Sequence, residues 1–182
     1  MKMSYMILVK LLLVMPGWGV HDKYARRLFR ELSLRYDSVM SYEINLLIDR
    51  PVDFIRSRLD YLLKVVREKD PELCRLLYLQ FVLGIPVLGG VFKHDWGCCR
   101  LKKSAAFEIL LRLAEILYGR EGILLAQLHA SLDSISKWGF DLGRYLEWAE
   151  IQGILEEVRD YVCRYWNEIR IESLSARRRR SR

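Results

Sequence analysis

The sequence predicts a single all-α domain, and three observations support this fold class. Apolar residues recur at spacings of three and four along most of the chain after Gly19, as on one face of an amphipathic helix. No segment shows the sustained two-residue alternation of a half-buried strand. The 182 residues suffice for one hydrophobic core. We place the domain at residues 1–174 and a disordered basic tail at residues 175–182.

Prolines and glycines divide the helical pattern into segments. Pro51 and Pro71 stand where a helix would begin, because proline is favoured in the first helical turn. Gly119 and Gly139 stand where the apolar spacing stops, and Gly153 weakens the last segment. The stretch from Asp37 to Arg50 is expected to be a break. The expected helices cover residues 21–32, 51–70, 71–83, 102–118, 122–138 and 144–174.

The N-terminal apolar stretch, residues 6–15, is too short to cross a bilayer as a helix, which requires about 20 residues. Lys10 lies inside this stretch, and no small-residue cleavage site precedes Pro16, so a secretion signal is disfavoured. A short buried segment is the favoured interpretation. The sequence therefore predicts a cytoplasmic protein without membrane contact.

The basic charge of the chain is concentrated at its C-terminus. The formal net charge is +7, and it falls to +2 without the arginines at 177–180 and 182. These residues would bind nucleic acid without sequence preference and with strong salt dependence, although such tails also serve as solubilising ends. The chain lacks Thr and contains only five Asn and Gln residues, a depletion that favours a hyperthermophilic source. The candidate nucleic-acid-binding residues are Arg177, Arg178, Arg179, Arg180 and Arg182.

The three histidines are the candidate metal ligands. His21 opens a helix, His129 lies on an apolar helical face, and His94 directly precedes Asp95 in a glycine-rich segment. Buried imidazoles are costly unless they are bonded, and a divalent cation would satisfy them while acidifying a bound water. Each histidine taken alone also has a structural interpretation, such as helix-start polarity for His21 or a hydrogen-bonded core residue for His129.

The run His94-Asp95-Trp96-Gly97 resembles the H-D-x-G motif of the HD superfamily of metal-dependent phosphohydrolases. The order of His21, this motif and His129 is most similar to the HD nuclease component of type I CRISPR interference. The resemblance covers about residues 21–161. It implies an HD-like helical bundle that cleaves single-stranded DNA in antiviral defence. It also implies a transition metal (Mn, Ni, Co or Fe) or Mg as cofactor, and a larger ribonucleoprotein complex with a helicase as partner.

The same resemblance assigns roles to individual residues. His94 and Asp95 would be both catalytic and metal-binding, with His21 and His129 as further metal ligands. By its position soon after the motif, and together with Arg100 and Lys103, Lys102 would stabilise the phosphate charge, with a solvated helix start as the alternative for these basic residues. Asp160 resembles the late helical aspartate of the family and is assigned as the last metal ligand. Asp133, one helical turn after His129, and Asp141 remain alternatives for that position.

Two other functions are compatible with the sequence. One is a non-catalytic helical subunit of a ribonucleoprotein or capsid-like assembly that binds nucleic acid through its arginine-rich end. The other is an HD-type phosphohydrolase of free nucleotides, whose activity would not depend on the tail.

Overall fold

A computed structural model of the chain describes residues 18–88 and 104–180, and every regular element in these two ranges is a helix. The predicted all-α fold class is confirmed. In chain order the helices are α1 (Trp18–Glu31), α2 (Ser38–Asp49), α3 (Pro51–Ser57), α4 (Leu59–Lys69), α5 (Pro71–Phe81), α6 (Ala105–Ser136), α7 (Leu142–Gln152), α8 (Glu156–Arg164) and α9 (Trp166–Arg180).

Helix α6 is the central element of the bundle. It contacts α1, α2 and α4 as well as α7, α8 and α9, and residues on several of its sides are buried. Leu110, Leu113 and Leu124 of α6 are fully buried in one continuous apolar core. Removal of this apolar surface from water is the main stabilising contribution to the bundle.

Helix α6 is broken near its middle, as the sequence predicted. Gly119 has φ 64° and ψ −149°, a backbone conformation that is open essentially to glycine alone. A Cβ atom on Gly122 would overlap the carbonyl oxygen of Ala114, so the chain on the two sides of the break approaches too closely for a larger residue. The two halves of α6 therefore have their own directions.

The break predicted at residues 37–50 is wrong, because α2 occupies most of that range. Asp37 caps this helix, since its Oδ1 accepts hydrogen bonds from the backbone N–H groups of Val39 (2.7 Å) and Met40 (3.2 Å). The buried side of α2 includes the polar residues Ser41 and Asn45 among its apolar ones. Polar residues on the inner face obscured the amphipathic pattern.

Three further helix boundaries differ from expectation. The helix expected over residues 51–70 is divided at Arg58. The segment expected over residues 144–174 is interrupted after α7, where Gly153 adopts the left-handed conformation (φ 70°) and caps the helix. The backbone of α9 is helical as far as Arg180, beyond the domain boundary predicted at residue 174.

None of the helices in the described ranges combines the length and apolar content that are needed to cross a bilayer.

Candidate metal centre

Three helices bring polar side chains together inside the bundle. Helix α1 contributes one residue near its start, α2 contributes two from its second half, and the last two turns of α6 with its C-cap residue contribute the rest. The α6 residues are spaced by four, which aligns them along one helical face. We call this group the His/Asp cluster: His21, Asn45, Asp49, His129, Asp133 and Lys137.

His129 lies at the centre of the cluster. Its Nδ1 is 2.7 Å from Oδ1 of Asn45 and 2.9 Å from Nδ1 of His21. The two imidazole rings meet edge to face, with centroids 4.1 Å apart. An N–H on Nδ1 of His129 therefore donates to the Asn45 amide oxygen, and this hydrogen bond fixes the orientation of the ring.

The other ring nitrogen of His129, Nε2, faces two carboxylates. It is 3.4 Å from Oδ2 of Asp133 and 3.4 Å from Oδ1 of Asp49. These separations permit strong attraction, but Nε2 has no hydrogen-bond partner within the described part of the chain. The residue is 1% exposed. Asp133 and Asp49 are therefore the ion-pair partners of a protonated His129, and a divalent cation is the alternative partner for Nε2 when the ring is neutral.

Lys137 neutralises the same two carboxylate oxygens. Its Nζ is 2.6 Å from Oδ2 of Asp133 and 3.2 Å from Oδ1 of Asp49. On the other side of Asp133, Oδ1 is 3.5 Å from Nε2 of His21. Asp133 thus contacts three nitrogen-bearing side chains while it is only 3% exposed.

The protonation states follow from these contacts. Burial opposes the charge on His129, but Asp133 and Asp49 outweigh this penalty and raise the pKa of His129 to about 9. Burial and the nearby charge of His129 lower the pKa of His21. Burial also opposes ionisation of Asp133, yet His129 holds the pKa of this carboxyl well below its ordinary value. At neutral pH, His129 is cationic, His21 is neutral and Asp133 is anionic.

The donor set of the cluster fits a divalent cation. His21, His129 and Asp133 each offer a ligand atom, and these atoms lie within 4.8 Å of one another. Four ligands at about 2.0–2.1 Å in a tetrahedron are separated by about 3.3 Å, which is similar to the 3.4 Å between Nε2 of His129 and Oδ2 of Asp133. Imidazole nitrogen with carboxylate oxygen is a ligand combination that zinc and other transition metals accept.

Metal binding would require a change of protonation at both histidines. His129 would lose the proton on Nε2 and keep Nδ1–H on Asn45, an outer hydrogen bond typical of metal-bound histidines. Two imidazoles that held a cation through Nε2 would both carry a proton on Nδ1, so the 2.9 Å contact between the two Nδ1 atoms would have to lengthen.

The structure unites only part of the predicted metal site. His21 and His129 come together although 108 positions separate them in the sequence. Asp160 is exposed on α8 and does not belong to the group that offers ligand atoms, whereas Asp133 does. Asp141, the third candidate, instead caps α7 by accepting a hydrogen bond from the backbone N–H of Arg144.

The remaining predicted site residues are placed only in part. His94, Asp95 and Lys102 lie outside the described residues. Arg177 to Arg180 continue the backbone of α9, and Arg182 lies outside the described residues.

Sequence reasoning missed three members of the cluster. Asn45 and Asp49 lie on α2, in the range that was expected to be a break, so no inward face was assigned to them. Lys137 was missed because it is exposed, as lysines near helix ends ordinarily are, and only its ammonium reaches the buried carboxylate of Asp133. One available indication was the spacing of His129, Asp133 and Lys137, which places an imidazole, a carboxylate and an ammonium on one helical face.

Comparisons with protein-family models, curated proteins and solved structures give no match to this chain. Its class is therefore defined by its own features, namely a helical bundle with a buried His/Asp cluster between α1, α2 and α6.

Proposed function

We propose that the protein is a metal-dependent phosphodiesterase whose cation is held by His21, His129 and Asp133. The observation that carries this proposal is the meeting of two buried imidazoles and a buried carboxylate, whose ligand atoms lie within 4.8 Å of one another. A bound divalent cation would supply a Lewis acid for the phosphoryl oxygen and lower the pKa of an attacking water.

The other cluster residues support this chemistry by positioning the ligands. Asn45 holds Nδ1 of His129 and so directs Nε2 towards the carboxylates. Asp49 lies on the same side of His129 at 3.4 Å and is the candidate fourth ligand. Its pKa is low because the charges of His129 and Lys137 outweigh the penalty of burial, so it is an anion at neutral pH.

The C-terminal arginines support nucleic acid as the substrate. Five positive charges within the last six residues would attract a phosphodiester backbone independently of its sequence. The narrower function, cleavage of single-stranded DNA in CRISPR antiviral defence with a helicase-containing complex, is supported by the resemblance of the His94-Asp95 motif. The cytoplasmic location stays a prediction.

Metal binding and cleavage by matched aspartate variants test the proposal. Purified protein is titrated calorimetrically with Mn²⁺, Co²⁺ and Ni²⁺, and cleavage of a labelled single-stranded oligonucleotide is followed in the presence of each ion. We expect about one ion per chain and cleavage that a chelator abolishes. Asp133→Asn should remove both properties, since an amide is a much weaker metal ligand than a carboxylate.

Asp160→Asn is the control for this experiment. It makes the same chemical change at an exposed aspartate outside the cluster, so binding and cleavage should be unchanged. Loss of metal in Asp160→Asn with retention in Asp133→Asn would contradict the site described here. A wild-type protein that binds none of the ions would contradict the proposal as a whole.

A second candidate function is a non-catalytic nucleic-acid-binding or assembly subunit. The observation that favours it is the charge balance of the cluster without any metal. The carboxylates of Asp49 and Asp133 are matched by the His129 imidazolium and the Lys137 ammonium. Such a network can join α1, α2 and α6 and specify their register, a known use of buried polar groups.

Deletion of residues 175–182 separates the two functions. A binding subunit should lose nucleic-acid affinity with the tail and show neither metal content nor cleavage. A phosphodiesterase should lose affinity for long oligonucleotides but still bind metal and hydrolyse a small phosphodiester such as bis(p-nitrophenyl) phosphate. A phosphohydrolase of free nucleotides would be insensitive to the deletion.

A further inference from the structure

We propose that Lys137 is an exchangeable cation of the His/Asp cluster. In the metal-free protein its ammonium neutralises Asp133 and Asp49. When a divalent cation binds, the ammonium leaves Asp133 and becomes the group that binds a phosphate oxygen of the substrate. This inference rests on the proposed metal centre and adds to it the residue that recognises the anionic substrate.

Lys137 and His129, a ligand of the proposed metal centre, share their carboxylate partners. Oδ2 of Asp133 and Oδ1 of Asp49 are each 3.4 Å from Nε2 of His129. The same two oxygens are 2.6 Å and 3.2 Å from Nζ of Lys137. The four groups thus form a ring in which nitrogen and oxygen atoms alternate. A divalent cation bound between Nε2 of His129 and Oδ2 of Asp133 would lie close to the ammonium, and the two positive charges would repel each other.

Lys137 has the most exposed side chain in this ring. Its side chain is 35% exposed, against 1% for His129, 4% for Asp133 and 17% for Asp49. Lys137 caps the C-terminal end of α6, where the chain leaves the helix. A four-carbon side chain anchored at this position can withdraw its ammonium without moving the helix.

Lys137 and Asp49 are the two ring members with the most exposed side chains, so they define the side of the cluster that is nearest to solvent. An ammonium released from Asp133 would remain on that side. There it would meet a negatively charged ligand of the metal, and a phosphate oxygen is an acceptor that lysine commonly binds.

The experiment compares Lys137→Met, Lys137→Arg and Lys23→Met in the full-length protein. Lys23 is the matched control because its ammonium also bridges two carboxylates, those of Glu168 and Glu172, on the exposed surface of the bundle. Affinity for Co²⁺ is measured by calorimetry at neutral pH. Affinity of the Co²⁺-loaded proteins for inorganic phosphate is measured by calorimetry and by the visible spectrum of the ion. Circular dichroism verifies that each variant is folded.

Lys137→Met should bind Co²⁺ about tenfold more tightly than the wild type, because the competing charge is gone. The Co²⁺-loaded variant should bind phosphate about tenfold less tightly, the scale of one charge-assisted hydrogen bond. Lys137→Arg keeps the positive charge, and Lys23→Met leaves the cluster intact, so both should stay near the wild type in Co²⁺ affinity.

Three other results would contradict the inference in different ways. Equal Co²⁺ affinity in wild type and folded Lys137→Met overturns the exchange and leaves the metal centre standing. Tighter Co²⁺ binding with unchanged phosphate affinity overturns the role in substrate recognition. Failure of both proteins to bind any divalent ion overturns the proposed metal centre and this inference together.

Discussion

Raising the pH from 7 to 10 in the presence of a chelator removes the proton that His129 carries between Asp133 and Asp49. The pKa of this buried imidazole is raised to about 9, against an ordinary value of 6.5 in the unfolded chain. A raised pKa gives stability that is fully present below pH 6.5 and is lost as the pH rises through 9. A shift of this size corresponds to about 2–3 kcal/mol between pH 7 and pH 10.

The free energy of unfolding from urea titrations at several pH values measures this effect. His21 has a lowered pKa, so its contribution weakens stability below about pH 6.5 and leaves the alkaline limb unaffected. With respect to these two histidines, the protein in chelator should therefore be most stable near pH 6.5 and should lose stability steadily from there to about pH 9. His129→Gln retains a polar side chain of similar length but cannot be protonated, so the alkaline decline should vanish in this variant. A wild-type protein whose stability is flat between pH 7 and 10 would refute the assignment of a cationic His129.

Three further changes test other parts of the structure, each by urea or thermal unfolding. Asp133→Asn should cost about 3–5 kcal/mol in chelator, because it removes one of the two anions that face the buried imidazolium of His129. Asp160→Asn should stay within about 0.5 kcal/mol of wild type. Similar costs for both would contradict the burial of Asp133. Gly122→Ala should lower the free energy of unfolding by about 1–3 kcal/mol, because the added Cβ would overlap the carbonyl oxygen of Ala114. This loss should exceed the gain from the higher helix propensity of alanine. A variant more stable than the wild type would contradict the close approach of Gly122 to Ala114. Asp37→Ala should cost about 1 kcal/mol through loss of the α2 cap, and Asp37→Asn should recover most of it.

The all-α fold was accessible from the sequence because helical spacing is a local property. His21 and His129 shared their stripes with apolar residues, which correctly indicated that both face the core. Gly119 and Gly153 were recognised as interruptions because a positive φ is costly for other residues.

The membership of the His/Asp cluster was not predictable in full, because it depends on packing between helices that are distant in the sequence, and a local pattern does not encode such packing. Asp49 reaches His129 only because α2 packs along α6, and the polar inner face of α2 hid that helix from a test of amphipathic spacing. Asp133 was recognisable as an inward-facing carboxylate from its position one turn after His129. Asp160 was assigned as the last metal ligand because the HD family has an aspartate late in the sequence. The order of residues along the chain does not determine which carboxylates meet in the folded protein.

The break at Gly119 determines the angle between the two halves of α6. His129, Asp133 and Lys137 all follow this glycine on one continuous helical stretch, so their mutual spacing is set by the helix and does not depend on the angle at the break. Their distances to His21 on α1 and to Asp49 on α2, in contrast, do depend on it. A different backbone angle at Gly119 would therefore change the distances of all three side chains to His21 and Asp49 together.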